Sequence, residues 1–196
     1  MSPITHFLVS WTVAERVTTD RRERLWICLA GLAPDLDGLG IIPDLYIRWQ
    51  GFYSSQYYAV WHHFLFHGIF GALVTVLIAR IAGVRRLAAL GWVFVAFHLH
   101  LLCDLVGARG PAVYDIWVIH YLGPFTRKCT LYWSHQWPLN GWQNFLITAL
   151  LVIWSLRQAI LNGSSPLSLF HSSADSAVVT ALRHRWDRWR GNFFPQ

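Results

Sequence analysis

Apolar residues fall into segments separated by short polar breaks. Over residues 4–18, Ile4, Phe7, Leu8, Trp11, Ala14 and Val17 form a stripe at helical spacing. Thr18-Thr19-Asp20 ahead of Arg21-Arg22-Glu23-Arg24 reads as a turn and a new helix start. Leu25 to Leu32 continues as a second apolar segment, stopped by Pro34, and Asp35-Leu36-Asp37-Gly38 follows as a loop. Residues 38–60, rich in Gly, Tyr and Trp, predict an interfacial loop with room for a short helix. A third segment, Gly68 to Ile78, follows Trp61-His62-His63-Phe64-Leu65-Phe66-His67 and ends near Arg80, Arg85 and Arg86. Residues 87–106 make a long fourth helix, and residues 141–160 a fifth that closes at Arg157. Between them, residues 107–140 are a mixed connector punctuated by Gly107, Gly110, Pro111, Gly123, Pro124 and Pro138.

This pattern predicts an all-α, membrane-embedded bundle of two helical hairpins and a further spanning helix, over residues 1–161. After the Gly163-Ser164-Ser165-Pro166 linker, residues 162–196 form a basic, aromatic cytoplasmic tail that lies on the membrane surface through Arg183-His184-Arg185-Trp186-Asp187-Arg188-Trp189-Arg190. Composition agrees. Hydrophobic residues are 55% and charged residues 13% of the 196, mean hydropathy is +0.36, and the 12 Trp suit a membrane–water boundary.

The formal charge of +6 sits in short Arg clusters beside apolar runs. That placement points to membrane lipid as the partner rather than nucleic acid. Cys28, Cys103 and Cys129 form no C-x-x-C and are odd in number, so no disulfide framework is expected. The start, Met1 to His6, carries no basic region and no small-residue cleavage site follows, so a removable signal peptide is not expected.

The candidate chemistry lies where apolar segments carry imidazoles and carboxylates. In Phe97-His98-Leu99-His100-Leu101-Leu102-Cys103-Asp104, His100 and Asp104 stand one helical turn apart on one face. A carboxylate in apolar surroundings is costly unless something pairs with it. Drawn as a hairpin, the first two segments put His6 at one end, Arg16 to Arg24 at the turn, and Asp35 and Asp37 back at the first end, with arms of roughly 20 Å. Residues 62–104 repeat the plan with arms of roughly 25–30 Å: His62, His63 and His67, then Arg80, Arg85 and Arg86, then His100 and Asp104. Both hairpins thus carry Arg at one pole and His and Asp at the other. By the positive-inside rule the Arg pole is cytoplasmic and the His/Asp pole faces outward.

Imidazole with carboxylate suits zinc, manganese or iron rather than calcium. His6, Asp35, Asp37, His62, His67, His100 and Asp104 exceed one four-coordinate zinc and fit two divalent ions, zinc first among the candidates, that share a carboxylate. Helical spacing pairs His63 with His67, and it does not choose between His62 and His63 as the ligand. His135, in Ser134-His135-Gln136-Trp137-Pro138, and His63 are the candidate acid or base. His98, His120 and His184 read as structural, His171 as solvated and Asp44 as a turn residue.

Thr5-His6, Pro34-Asp35-Leu36-Asp37, the step from His62 to His67, and His100-Leu101-Leu102-Cys103-Asp104 together resemble, over residues 4–106, the inner-membrane-associated, metal-dependent hydrolases once described as LexA-binding, the YdjM-like family. That family's pattern runs Thr-His, Pro-Asp-x-Asp, His-Arg-x-x-x-His and His-x-x-x-Asp. The resemblance implies a helical membrane protein, a hydrolase activity, and a ligand role for His6, Asp35, Asp37, His62, His67, His100 and Asp104. The family's Arg after the first His of the step is His63 here, and its Thr before the second is Phe66. Arg109 and Arg127, on the same side, are the candidates to substitute for that Arg.

The expectation is therefore a multi-pass protein of the bacterial inner membrane with its site on the non-cytoplasmic side. It would hydrolyse a phosphoester of a lipid or lipid-linked substrate through metal-activated water. The alternative is a metal-binding membrane protein without turnover, whether transporter, sensor or structural subunit. A pore would need polar residues along a helix, whereas here they gather at one pole.

Overall fold

The computed structural model describes residues 1–52, 56–62 and 64–193, the side chains of 191–193 excepted. Helix α1 (Pro3–Val17) starts with Pro3 in its first turn and the Ser2 hydroxyl accepting from the Thr5 amide at 3.2 Å. Helix α2 (Arg21–Ala30) is capped by Asp20, whose carboxylate accepts from the Glu23 amide at 2.8 Å. Helix α2 ends at Ala30 with Gly31 as its C-cap, ahead of Pro34, and Pro34 instead opens a 3-10 helix, Ala33–Gly40, that runs into helix α3, Ile41–Trp49.

The loop expected over residues 35–38 and the interfacial loop expected over 38–60, with room for one short helix, are thus helical over 33–49 and 57–61 among the described residues, and Asp44 shows why. It is buried rather than a surface turn residue. Its two oxygens accept from the Tyr57 and Tyr58 amides at 2.8 and 2.9 Å, capping helix α4 (Tyr57–Trp61) from a distant element. Such a non-local cap leaves no signal in the residues around Asp44.

Helix α5 (Ile69–Ile81) has 13 residues, roughly 20 Å, shorter than the arm expected. Residues before it are spent on a non-helical approach that delivers His67. Helix α6 (Leu87–Gly107) has the full expected length with 21 residues. The connector holds one short antiparallel pair, β1 (Ile119–His120) with β2 (Thr130–Leu131), in register Ile119 opposite Leu131. Helix α7 (Trp142–Asn162) follows, then a 3-10 turn (Pro166–Leu169) and helix α8 (Ser172–Phe193).

Helices α1, α2 and α6 pack mutually, α5 lies on α6, and α7 lies on α1. Trp11, Ile27, Val93 and Phe97 fill the core, with Ala14, Ala30, Ala79, Ala89 and Ala96 buried between them. Small residues at such contacts let helices approach closely. Gly31 is the tightest case: a Cβ there would meet Ser10 Oγ at 1.9 Å and the His6 carbonyl at 3.1 Å. Asn144 ties the connector to the bundle. Its Nδ2 donates to the Gly107 and Leu139 carbonyls at 2.9 and 2.7 Å, and its Oδ1 accepts from Trp137 Nε1 at 2.6 Å.

Among the described residues two helices, α6 and α7, are each long and apolar enough to cross a membrane. Helix α2 with residues 33–49, bent by 48°, makes a third if the bent pair is one span. Only 17% of the apolar window of α7 is buried within the protein, so the other side chains of that helix require an apolar surround of another kind. The chain is therefore helical and fitted to a membrane.

Candidate metal centre

Four separate elements deliver the His/Asp pole. His6 comes from the first turns of α1, Asp35 and Asp37 from the 3-10 helix, His62 and His67 from the stretch between α4 and α5, and His100 and Asp104 from the last turns of α6. The structure brings all seven into one linked cluster. Asp104 is its centre. Its Oδ1 lies 3.1 Å from His6 Nε2, and its Oδ2 lies 3.0 Å from His100 Nε2 and 3.6 Å from His67 Nε2. Asp35 Oδ1 is 3.6 Å from His100 Nε2. The Met1 amino group also lies against Asp104 Oδ1.

The proton inventory of this cluster decides its chemistry. His100 Nδ1 is 2.8 Å from the Gly31 carbonyl, an acceptor only, so Nδ1 carries a hydrogen, and Nε2 is turned to Asp104. His100 Nε2, both ring nitrogens of His6 and Asp35 Oδ2 are buried and make no hydrogen bond among the described residues. The His6 and His100 rings stack, with centroids 3.7 Å apart and planes at 22°, a contact that suits neutral imidazoles and penalises two cations. Nitrogen lone pairs turned on carboxylate oxygens repel unless a proton or a metal ion lies between them.

Asp37 plays a different part. Its Oδ1 is 2.8 Å from His62 Nδ1 and its Oδ2 is 2.9 Å from His67 Nδ1, and the Phe66 amide donates to Oδ2 at 3.3 Å. This is how a carboxylate orients a ligating imidazole, fixing Nδ1–H and turning Nε2 inward. Burial opposes charge on His67, but its bonds with Asp104 and Asp37 outweigh burial and lift its pKa to about 9. Burial and the charges of Asp37 and Asp35 push the Tyr58 phenol up, and its ring lies 4.7 Å from that of His62.

Among the described residues two overlapping sets could hold a divalent cation. Ligand atoms of Asp35, His67, His100 and Asp104 lie within 4.8 Å of one another, and so do those of Asp37, His62 and His67. The first set, with His6 beside it, offers nitrogen and oxygen donors of the kind zinc, manganese and iron accept.

The rule of four residues per turn does not apply to the histidine step, because residues 64–68 are not helical. Asp37, not a shared helix face, brings His62 and His67 together. His63 lies outside the described residues. His135 is not brought to the cluster: it is exposed on the connector, beside Ser134 Oγ at 3.1 Å and the Trp133 ring. Arg109 donates to the Val113 carbonyl at 3.2 Å, and the Arg127 guanidinium lies 4.2 Å over the Phe64 ring. His98 is structural as expected, held by the Phe94 carbonyl and the Tyr121 hydroxyl. The Gly31 carbonyl is the functional group that sequence reasoning missed, since a backbone acceptor carries no residue signature.

The site defines a helical protein with a buried His/Asp centre able to hold a metal ion. No family model, curated protein or solved structure matches the chain.

Proposed function

We propose that this chain is a membrane-embedded, metal-dependent hydrolase acting on a phosphoester of a lipid or lipid-linked substrate. His6, Asp35, His67, His100 and Asp104 hold the cation, and Asp37 orients His67 and His62 from behind. The observation that carries the reading is the convergence of three imidazole Nε2 atoms on Asp104, with the His100 and His67 Nδ1 positions turned to the Gly31 carbonyl and to Asp37. A divalent cation held there supplies a water of lowered pKa and a Lewis acid for a phosphoryl oxygen. Asp35, with its side chain 29% exposed, is the member of the centre open to an incoming substrate. The resemblance to the YdjM-like hydrolases supports the same assignment, as does the order of its motifs.

The protein belongs, in this reading, to the bacterial inner membrane, with the centre on the non-cytoplasmic side and α8 on the cytoplasmic face. The arginine-bearing turns at the opposite pole support that orientation. Zinc leads among the metals. A second ion would occupy the Asp37, His62 and His67 set at the expense of their hydrogen bonds, so the metal count separates one ion from two.

One observation favours a second reading, a metal-binding protein without turnover: His6, His67 and His100 are each 1% exposed or less. Elemental analysis of the purified full-length protein, joined to a generic phosphodiester assay, tests both. Bound metal with turnover that chelation abolishes is the expected result. Metal without turnover would replace the hydrolase reading by the second, and protein that binds no metal would end both.

A further inference from the structure

A second polar site lies at the opposite pole. The α1–α2 turn and the α5–α6 turn meet around a cleft of about 750 Å³ lined by Asp20, Arg21, Arg22, Glu23, Arg85 and Arg86, with Gly83 and Leu169 at its edges. The charges in it are unequal in their commitments. Glu23 is buried and accepts from Thr18 Oγ1 at 2.5 Å and from Arg86 Nη1 at 2.9 Å. Asp20 is used by the Glu23 amide. Arg21 donates to the Leu169 and Phe170 carbonyls at 3.0 and 3.2 Å. Arg22 and Arg85 are exposed and pair with no carboxylate among the described residues.

The backbone sets up this arrangement. Gly83 has φ +98°, which lets the α5–α6 turn close tightly, and a Cβ there would meet Arg22 Nη1 at 2.5 Å. The Arg22 side chain therefore lies directly on the glycine, across the turn that presents Arg85. Two guanidinium groups in one cleft repel unless an anion lies between them. Ile81 and Leu87, 77% and 82% exposed, flank the same turn, so the charged cleft borders apolar surface of the kind acyl chains cover.

We infer that this cleft binds the phosphate group of an anionic phospholipid, with Arg22 and Arg85 as its ligands and Ile81 and Leu87 against the acyl chains. This goes beyond the hydrolase reading and does not depend on the metal centre. Arg is suited to the task because its planar fork binds phosphate oxygens bidentately.

The test uses the full-length protein in a neutral detergent, with native mass spectrometry and thermal unfolding as readouts. Phosphatidylglycerol, phosphatidylcholine and inorganic phosphate are titrated separately. Phosphatidylglycerol is expected to bind and to raise the unfolding midpoint well beyond phosphatidylcholine. Combined Arg22→Gln and Arg85→Gln should weaken it by about 30-fold, from the loss of two headgroup cations. The charge-matched pair Arg48→Gln and Arg127→Gln, outside the cleft, should not. Inorganic phosphate that binds wild type while the two lipids are indistinguishable would overturn the lipid assignment in favour of a soluble phosphate. Equal binding of both lipids with no response to phosphate, or equal losses in the two double variants, would overturn the site itself.

Discussion

The two poles of the bundle each bury a carboxylate, and they do so by opposite means. Glu23, 6% exposed, takes its hydrogen bonds from the Thr18 hydroxyl and the Arg86 guanidinium. Both donors carry their hydrogens by constitution, so the charge is settled once the helices pack. Asp104, 4% exposed, has the Met1 amino group on one oxygen and is ringed by three imidazole nitrogens, whose hydrogens are conditional. Two of those rings already spend their Nδ1 positions on Gly31 and Asp37. The contrast teaches that burial of an acid is not by itself a functional sign; the chemistry of its neighbours is. A carboxylate held by one hydroxyl and one guanidinium is structural, whereas one on which three imidazoles from three elements converge is arranged to share a cation with them.

Removing Asp104 should break this contrast most completely. Asp104→Ala is expected to lower bound metal to background and turnover by at least about 100-fold, since it deletes the group on which all three rings converge. Folded variant protein that kept its metal would refute the assignment of the centre. Chelation of wild type should lower its unfolding midpoint, because a ligand held only by the native state stabilises it by mass action. The Asp104→Ala protein should show no such response.

Asp37→Asn sharpens the picture, because it keeps the shape and removes the charge that orients His67. Metal affinity should fall by about 10–100-fold without loss of the fold, as outer carboxylate partners generally require. Metal titration reads this directly. Gly31→Ala tests the close approach that aims the Gly31 carbonyl at His100. The added methyl has no room beside Ser10, and destabilisation of about 1–3 kcal/mol is expected by thermal or denaturant unfolding. At the other pole, Glu23→Gln should cost about 1 kcal/mol, because Arg86 is largely exposed and its pairing is screened by solvent. It should leave metal content and turnover unchanged. A loss of metal in that variant would show that the poles are not independent.

Much of the candidate site was legible along the chain. The four-residue step from His100 to Asp104 holds because α6 is a regular helix there. The opposed placement of Arg and His/Asp follows from apolar segments folding back on each other with Arg at the turns. Less legible were the groups fixed by contacts across the fold. His62 and His67 come together through Asp37, and Asp44 serves α4 from another element. The stretch around His67 is not a helix, so periodicity had nothing to report on it.

The sequence by itself determined the helical segments, their apolar character and the pole at which imidazoles and carboxylates collect, because these depend on periodicity and on the order of residue types. Tertiary structure alone decided which nitrogen faces which oxygen. Proton placement on an imidazole depends on the acceptor against its other nitrogen. Here those acceptors are the Gly31 carbonyl and Asp37, each about 30 or more positions away in the chain and brought near only when the helices pack.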